Sequence, residues 1–375
     1  MREINVYLST TCPSGGTYIL LEYARRLAER KYDVRVYMNV FPEKVYTCSY
    51  KGKIHNCYFT RVLRAIKMYF ISKKEIKNLN IRYPDIWVNI VWGLRSKKVK
   101  SAEIGLAGSW PASYMLANDH KTYKKIYLIQ DYEDWDNYGG GKRSYLLSDV
   151  NKVVISSYIN KKFKEELNIG PFPIIYNGLN LNSFHMVSNK KKNEDITIAM
   201  LYSFGARKGC NNGIKALYRA RQVCPNIKIV MFGPEDRPML DIDFEYCKNA
   251  LPDKLKEIYN CADIYLWPSI GEGWGLTPIE AMACGCVVVG SDVASMSEIG
   301  KNNVNALLSE PGDVDQLTNN LIKLIQDKML RERLSNKALE DVKKLDWNKS
   351  LDRLEEAIYH YNEMSILPQL GQEEE

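Results

Sequence analysis

Glu272 and Glu280 stand eight positions apart, inside the run from Asp263 to Gly285. Gly271, Gly273 and Gly275 surround the first of them and let a loop backbone approach a ligand closely. Thr277 is a good N-cap and Pro278 suits a first helical position, so a helix is expected from about residue 278. Its unpaired N–H groups and positive dipole end would face the loop as an anion site, with Glu280 in the first turn. Gly285 would end that helix before the strand Val287-Val288-Val289. Carboxylates repel phosphate but accept hydrogen bonds from hydroxyls, so each glutamate suits a sugar ring. A sugar on each side of a diphosphate, as in a nucleotide sugar, would satisfy the whole arrangement. A glycine-rich strand-to-helix loop with one capping glutamate has the same spelling, and G-x-G alone is a weak signal.

The elements around this run alternate. Residues 3–8 read as a strand, Thr10-Thr11-Cys12-Pro13-Ser14-Gly15-Gly16 as a turn-rich loop, and Tyr18, Leu20, Leu21, Ala24, Leu27 and Ala28 as one face of a helix. Further strands are expected at 34–38, 86–91, 126–129, 153–155 and 174–176. In the back half, strands are expected at 196–201, 227–232, 264–267 and 287–289, and helices at 210–223, 253–261, 278–284, 313–328 and 330–344. Alternating strands and helices imply parallel sheets covered on both faces. Two such series imply two doubly wound domains, 1–177 and 178–347, with a last helix and a solvated tail over 348–375. The break is expected near 177–193, at Asn177-Gly178 and the lysine run 190–192. Ligands bind outside the carboxyl ends of parallel strands, so a cleft between facing domains is the expected site.

The 375 residues carry 52 Lys+Arg against 45 Asp+Glu and are 45% hydrophobic, which excludes a disordered chain. No apolar run reaches the roughly 18–20 residues that span a bilayer. The start, Met1 to Leu8, lacks the pattern of a secretory signal, so cytoplasmic residence is expected. Residues 1–175 hold 29 Lys+Arg and 16 Asp+Glu, a balance of +13; residues 176–375 hold 23 and 29, a balance of −6. The basic half suits an anionic partner. The nine cysteines include no C-x-x-C pair and the four histidines no metal spacing, so neither a metal site nor a disulfide framework is expected. Cys284-Gly285-Cys286 reads as small apolar side chains at a helix-to-strand junction.

The run Glu272-Gly273-Trp274-Gly275-Leu276-Thr277-Pro278-Ile279-Glu280 resembles the signature of the retaining nucleotide-sugar glycosyltransferases of family 4, whose fold is GT-B. The resemblance extends along nearly the whole chain. Ser14-Gly15-Gly16 is similar to the family's N-terminal glycine loop, and Pro84-Asp85-Ile86 to the start of a core strand. Ile175-Tyr176-Asn177-Gly178-Leu179-Asn180 with Phe184 resembles its linker, and Gly205-Ala206-Arg207-Lys208-Gly209 its basic loop. Val230-Met231-Phe232-Gly233-Pro234 is similar to a glycine strand end, and Trp347 to the start of the helix that crosses back to the first domain. The resemblance implies Glu272 on the donor hexose, Glu280 on the ribose, and the backbone of Gly273, Trp274, Gly275 and Leu276 along the sugar and diphosphate. It implies Lys208 on the leaving diphosphate, with Arg207 as an auxiliary, and Gly15, Gly16 and Gly233 near the donor. It also implies catalysis without a metal or other cofactor.

Two departures stand out. The arginine that the family often places about six residues before the lysine is absent, and that segment reads Tyr202-Ser203-Phe204. The family's first-domain histidine corresponds to Gln130, which can hydrogen-bond a sugar but does not titrate near neutral pH; His120 beside Lys121 reads as a surface residue. The implied reaction moves a hexose, from a UDP-sugar by family frequency, to a glycan or polyprenyl- or lipid-linked acceptor in surface polysaccharide or glycoconjugate synthesis. A nucleotide-sugar epimerase or hydrolase of the same fold and a non-catalytic partner subunit are the alternatives. Residues 51–77, with Lys51, Lys53, Arg61, Arg64, Lys67, Lys73, Lys74 and Lys77 around Phe59, Leu63, Ile66 and Phe70, could form a basic amphipathic helix on the inner face of an anionic membrane, or a domain helix with an ordinary wet face. Nucleic acid would explain the charge but not the motif, and is not expected as a partner.

Overall fold

The computed structural model describes residues 2–9, 15–40, 58–92, 97–133, 139–187, 195–364 and 366. The chain forms two compact units. The first contains Met1–Ile155, Lys162–Ile175 and Ser350–Pro368, and the second contains Ser156–Lys161 and Tyr176–Lys349. Expectations for residues 10–14, 41–57, 188–194 and 371–375 lie outside the described residues. These include Cys12, Ser14, Cys48, Lys51, Lys53, His55, Cys57, the lysine run and the tail; the side chains of Phe59, Arg61 and Arg64 lie outside them as well.

The first unit runs β1 (Glu3–Leu8), α1 (Gly15–Glu29), β2 (Asp33–Asn39), α2 (Tyr58–Arg82), β3 (Val88–Val91), β4 (Ala102–Ala107), α3 (Trp110–Ala117), β5 (Thr122–Ile129), α4 (Gly140–Ser144), β6 (Asn151–Val154) and α5 (Ser157–Leu167), whose first turn belongs to the second unit. Among the described residues its sheet is parallel and six-stranded, in the order β3-β2-β1-β4-β5-β6. The central register sets Val6 against Val36 and Leu106, all buried.

The second unit runs β7 (Ile196–Leu201), α6 (Cys210–Val223), β8 (Ile227–Gly233), β9 (Glu245–Lys248), α7 (Pro252–Cys261), β10 (Ile264–Trp267), α8 (Leu276–Ala283), β11 (Val287–Ser291), α9 (Ser295–Glu298), β12 (Ala306–Ser309), α10 (Val314–Gln326) and α11 (Lys328–Asp341). Its parallel sheet has the order β12-β11-β10-β7-β8-β9. Ile198, Met200, Leu266, Val287 and Val289 pack with Leu217, Leu321 and Leu324 from the helices into one core. Both units therefore repeat one topology. The first strand of each lies between the second and the fourth, and the gap between first and fourth is where connections diverge in opposite directions.

The last helix, α12 (Trp347–Tyr359), returns the chain to the first unit. There Asp352 and Glu355 each pair with Arg30 at 2.7 Å, and Glu355 accepts from the Tyr32 hydroxyl at 2.8 Å. At its start a Cβ on Gly178 would fall 2.4 Å from the Trp347 ring, so only glycine fits beside that indole.

Several expectations are corrected. Residues 174–176 form a single bridge, Val154 to Ile174, rather than a strand. The strands β4, β9 and β12 were not expected. β4 reads Ala-Glu-Ile-Gly-Leu-Ala, a composition with weak strand preference, and its place between β1 and β5 makes it a strand. A Cβ on its Gly105 would come within 2.4 Å of Leu116 on α3, so the helix packs directly on the strand backbone.

Candidate functional site

In the second unit, β10 is buried along its whole length and ends in Pro268 and Ser269 at the carboxyl edge, beside β7. The loop that follows carries Gly271 to Gly275. The helix after it begins at Leu276, two residues before the expected start, with Gly275 rather than Thr277 at the N-cap. Gly275 sits at φ +82°, and a Cβ there would lie 2.7 Å from the Trp267 ring, so glycine sets the helix start through conformation and space together. Glu280 consequently lies in the second turn of α8, not the first.

The loop's carbonyls are tied back into the unit. Gly273 O accepts from Ser156 Oγ (2.8 Å), Trp274 O from Ser295 N–H (2.6 Å) and Gly275 O from Ser295 Oγ (2.9 Å). Among the described residues none accepts a hydrogen bond from the N–H of Gly273, Trp274 or Gly275. Pinned carbonyls and unpaired N–H groups ahead of a helix start are what an anion needs. The Trp274 side chain is buried and stacks on Tyr176 at 5.4 Å. Glu298 holds that tyrosine, accepting from its hydroxyl at 2.7 Å and from Ser157 N–H at 2.6 Å.

The basic loop after β7 is stitched to the same place. Gly209 takes φ +62°, and a Cβ there would fall 1.9 Å from Pro268 O. Ile270 N–H and Ser269 Oγ both reach Arg207 O, at 2.8 and 2.9 Å. This brings Lys208 to Glu272: Nζ lies 2.8 Å from Oε2, with the lysine 35% and the glutamate 13% exposed. Ser269 Oγ is also 3.0 Å from Glu272 Oε1. The Arg207 guanidinium lies beside Gly271, where a Cβ would fall 3.5 Å from Nε. Gly233 closes β8 with its Cβ position 1.9 Å from Tyr202 O, again a place only glycine can fill. The neighbouring Cys210 thiol is pushed up by burial, which keeps it protonated.

Glu280 is half-buried and accepts from the Tyr259 hydroxyl at 3.2 Å. Burial pushes its carboxyl up to about 7, and the Tyr259 bond opposes that rise. Both glutamates act on the Tyr265 phenol of β10: burial raises it first, and the charges of Glu272 and Glu280 raise it further. The two carboxylates thus flank one strand end, Glu272 on a lysine and Glu280 on a tyrosine.

In the first unit, Gly15 and Gly16 open α1, and Gln130 follows β5. The structure brings Gln130 and Gly16 together: Nε2 donates to Gly16 O at 3.1 Å, and a Cβ on Gly108 would meet that nitrogen at 2.8 Å. Ser9 and Ser109, after β1 and β4, share a 2.8 Å hydrogen bond at the same edge. His120 is exposed. Sequence reasoning passed over Glu133. Its carboxyl accepts Trp110 N–H at 2.8 Å, at the start of α3, and its own N–H donates to the Tyr145 hydroxyl at 2.7 Å. Burial pushes it up to about 8 against the Trp110 bond. Ser269, Ser156, Ser295 and Glu298 were also passed over, since residues that steady a loop from 62 or 117 positions away leave no local pattern. Cys284 and Cys286 are fully buried, and Cys286 Sγ donates to Tyr259 O at 3.0 Å, consistent with a packing role. Among the described residues no cluster of histidine, cysteine or carboxylate has the form of a metal site.

Residues 182–341 match the family model described as glycosyl transferases group 1. Two Rossmann-like units of this strand order are the GT-B fold, seen in glycosyltransferases of known structure. Anabaena HepE in complex with UDP-glucose has a TM-score of 0.73 to this chain at 14% identity, covering 95% of this chain and 99% of that one. Sucrose-phosphate synthase from Thermosynechococcus elongatus has a TM-score of 0.70 at 14% identity, covering 95% and 98%. At such identities the likeness is one of fold. An uncharacterized glycosyltransferase of Methanocaldococcus jannaschii is 29% identical over 249 residues, 56% of this chain and 63% of its own length. The O-antigen chain mannosyltransferase B of Escherichia coli is 35% identical over 98 residues, 26% of this chain and 25% of its own. The chain spans less than two thirds of the length of these curated relatives.

Proposed function

We propose that this protein is a retaining glycosyltransferase of family 4 that moves a hexose from a nucleoside diphosphate sugar, a UDP-sugar in preference, to a glycan or lipid-linked acceptor. The observation that carries the reading is the pair formed by Lys208 and Glu272 at the carboxyl edge of β7 and β10, inside the matched segment. That edge is the kind of place where parallel sheets of this topology bind ligands, the loop N–H groups suit a diphosphate, and the two charges suit the two kinds of group a donor presents. The UDP-glucose bound by Anabaena HepE favours a UDP-sugar, and the O-antigen enzyme of Escherichia coli favours surface polysaccharide as the product class.

In this reading Lys208 and the N–H groups of Gly273, Trp274 and Gly275 hold the diphosphate, Glu272 the hexose hydroxyls, and Glu280 the ribose hydroxyls, with Arg207 and Gly233 beside the donor. As the bond from the anomeric carbon to the phosphate oxygen breaks, negative charge grows on the diphosphate. A fixed lysine ammonium then counts for more than in the ground state. The acceptor oxygen bonds to the same face, and its proton passes to the departing phosphate. Lys208 supplies the cation, so the reaction calls for no divalent metal. Gly15, Gly16 and Gln130 serve in the first unit. The protein works in the cytoplasm and docks on the inner face of an anionic membrane. The outward side of α2, where Leu63, Ile66, Phe70, Lys67, Lys74 and Lys77 are exposed opposite buried Ala65, Ser72 and Ile76, supports the docking.

The test is a thermal-shift panel of UDP-, GDP-, ADP- and dTDP-sugars followed by a transfer assay with the donor that shifts. Glu272→Ala is expected to abolish transfer while the nucleoside diphosphate still binds, and Glu280→Ala to weaken nucleotide binding itself. Unchanged turnover in both would remove the assignment.

A further inference from the structure

Lys208 and Glu272, the two residues assigned above to opposite parts of the donor, are bonded to each other at 2.8 Å. We propose that Glu272 is an internal competitor of the donor's diphosphate for Lys208, and that it makes the site prefer the intact donor over the spent nucleotide. This rests on the reading above and adds to it.

The argument is one of charge and hydroxyl bookkeeping at a single lysine. A diphosphate entering the loop takes Lys208 Nζ, which removes the partner of the Glu272 carboxylate. That carboxylate is only 13% exposed, and the Ser269 hydroxyl, at 3.0 Å from Oε1, keeps it at the loop. Ser269 is itself fully buried, and its one hydroxyl proton is shared between Glu272 Oε1 and Arg207 O, so the carboxylate's fixed partner other than Lys208 is a partial one. A bare nucleoside diphosphate therefore leaves a poorly hydrated carboxylate beside its own negative charge, which is unfavourable. An intact donor brings hexose hydroxyls that donate to the freed carboxylate. The same pair thus admits the substrate, opposes retention of the nucleoside diphosphate after transfer, and holds the lysine side chain in place between turnovers.

The experiment is calorimetric titration of the full chain and of Glu272→Gln with UDP and with UDP-glucose, at fixed pH and ionic strength. GDP and GDP-mannose replace them if the panel selects guanine. The glutamine keeps the shape and removes the charge. UDP is expected to bind Glu272→Gln about fivefold more tightly than wild type, the size of a half-buried ion pair released. UDP-glucose is expected to bind no more tightly, because its hydroxyls lose the carboxylate. Equal tightening of both ligands would mark a general charge effect and overturn the proposal, as would unchanged or weaker UDP binding. Should Glu272→Gln lose its cooperative melt, Glu272→Ala carries the same expectation. If wild type binds none of these nucleotides, the functional reading falls as well; if wild type binds them and the variant does not tighten UDP, only this inference falls.

Discussion

The two sheets have the same strand order, yet the chemistry at their carboxyl edges differs. In the second unit the edge between β7 and β10 holds an ion pair, Lys208 with Glu272, beside the half-buried Glu280 carboxyl, itself pushed up to about 7 by burial. Among the described residues, the equivalent edge of the first unit, between β1 and β4, presents two serine hydroxyls and an amide on a glycine carbonyl. The carboxyl near it, Glu133, is pushed up to about 8 by burial and is largely protonated at neutral pH. One topology therefore supplies two positions, and side-chain charge decides what each can bind. Fixed charges suit a diphosphate leaving group; neutral donors and acceptors suit hydroxyls. The net charges run the opposite way, since the first unit's half of the sequence is the basic one at +13 and the second's is acidic at −6. In the proposed reading it is the local pair, and not the total, that would meet the anion.

The sharpest way to break this contrast is to neutralise each edge in turn. Lys208→Ala is expected to lower kcat by about 10²–10³, the loss typical of removing one fixed donor to a developing anion. Gln130→Ala is expected to cost about tenfold or less, with donor Kd unchanged, because a neutral hydrogen bond is worth about 1 kcal/mol. Steady-state kinetics beside donor titration reads both; comparable losses would erase the distinction.

A smaller effect tests the carboxyl of the first unit through stability. The folded Glu133 holds its proton to about pH 8, while the unfolded side chain loses it near the ordinary value of 4.5. Between those values the folded state binds more protons, so this group's contribution falls as pH rises. Glu133→Gln keeps the bond from Trp110 N–H and removes the titration. Urea melts at pH 5 and pH 8 are expected to show about 1–3 kcal/mol less pH-dependent loss in the variant than in wild type. An unaltered slope would show that the carboxyl is ionised at neutral pH.

The smallest expected effect concerns α2. Leu63→Ser with Phe70→Ser is expected to lower sedimentation with anionic liposomes by a few-fold, leaving melting temperature and UDP binding unchanged, since both side chains point outward. Equal sedimentation of wild type with neutral and anionic vesicles would remove the membrane from the comparison.

The helices of the second unit were more legible than those of the first, while the strands that escaped expectation were one in the first unit and two in the second. The strands 196–201 and 264–267 and the helix 210–223 lie where apolar periodicity puts them, because strands buried on both faces spell continuous apolar runs between amphipathic helices. β4 and β9 hid because one is small-residue and the other polar, and their neighbours make them strands. The start of α8 was misplaced because Thr277-Pro278 is a good local signal that a positive-φ glycine overrode.

By itself the sequence determined the alternation, the two doubly wound units, and the glycine-flanked pair of glutamates, since periodicity and glycine conformation are local properties of the chain. Only the tertiary structure decided that Glu272 meets Lys208, that Ser269 joins the two loops, that Glu280 rests on Tyr259 and that Glu133 caps α3 from a different loop. Each of those contacts joins strand ends or helices that adjoin only once the sheets have formed. Burial then sets the charge of each carboxyl, and burial is a property of the assembled unit and not of any residue in it.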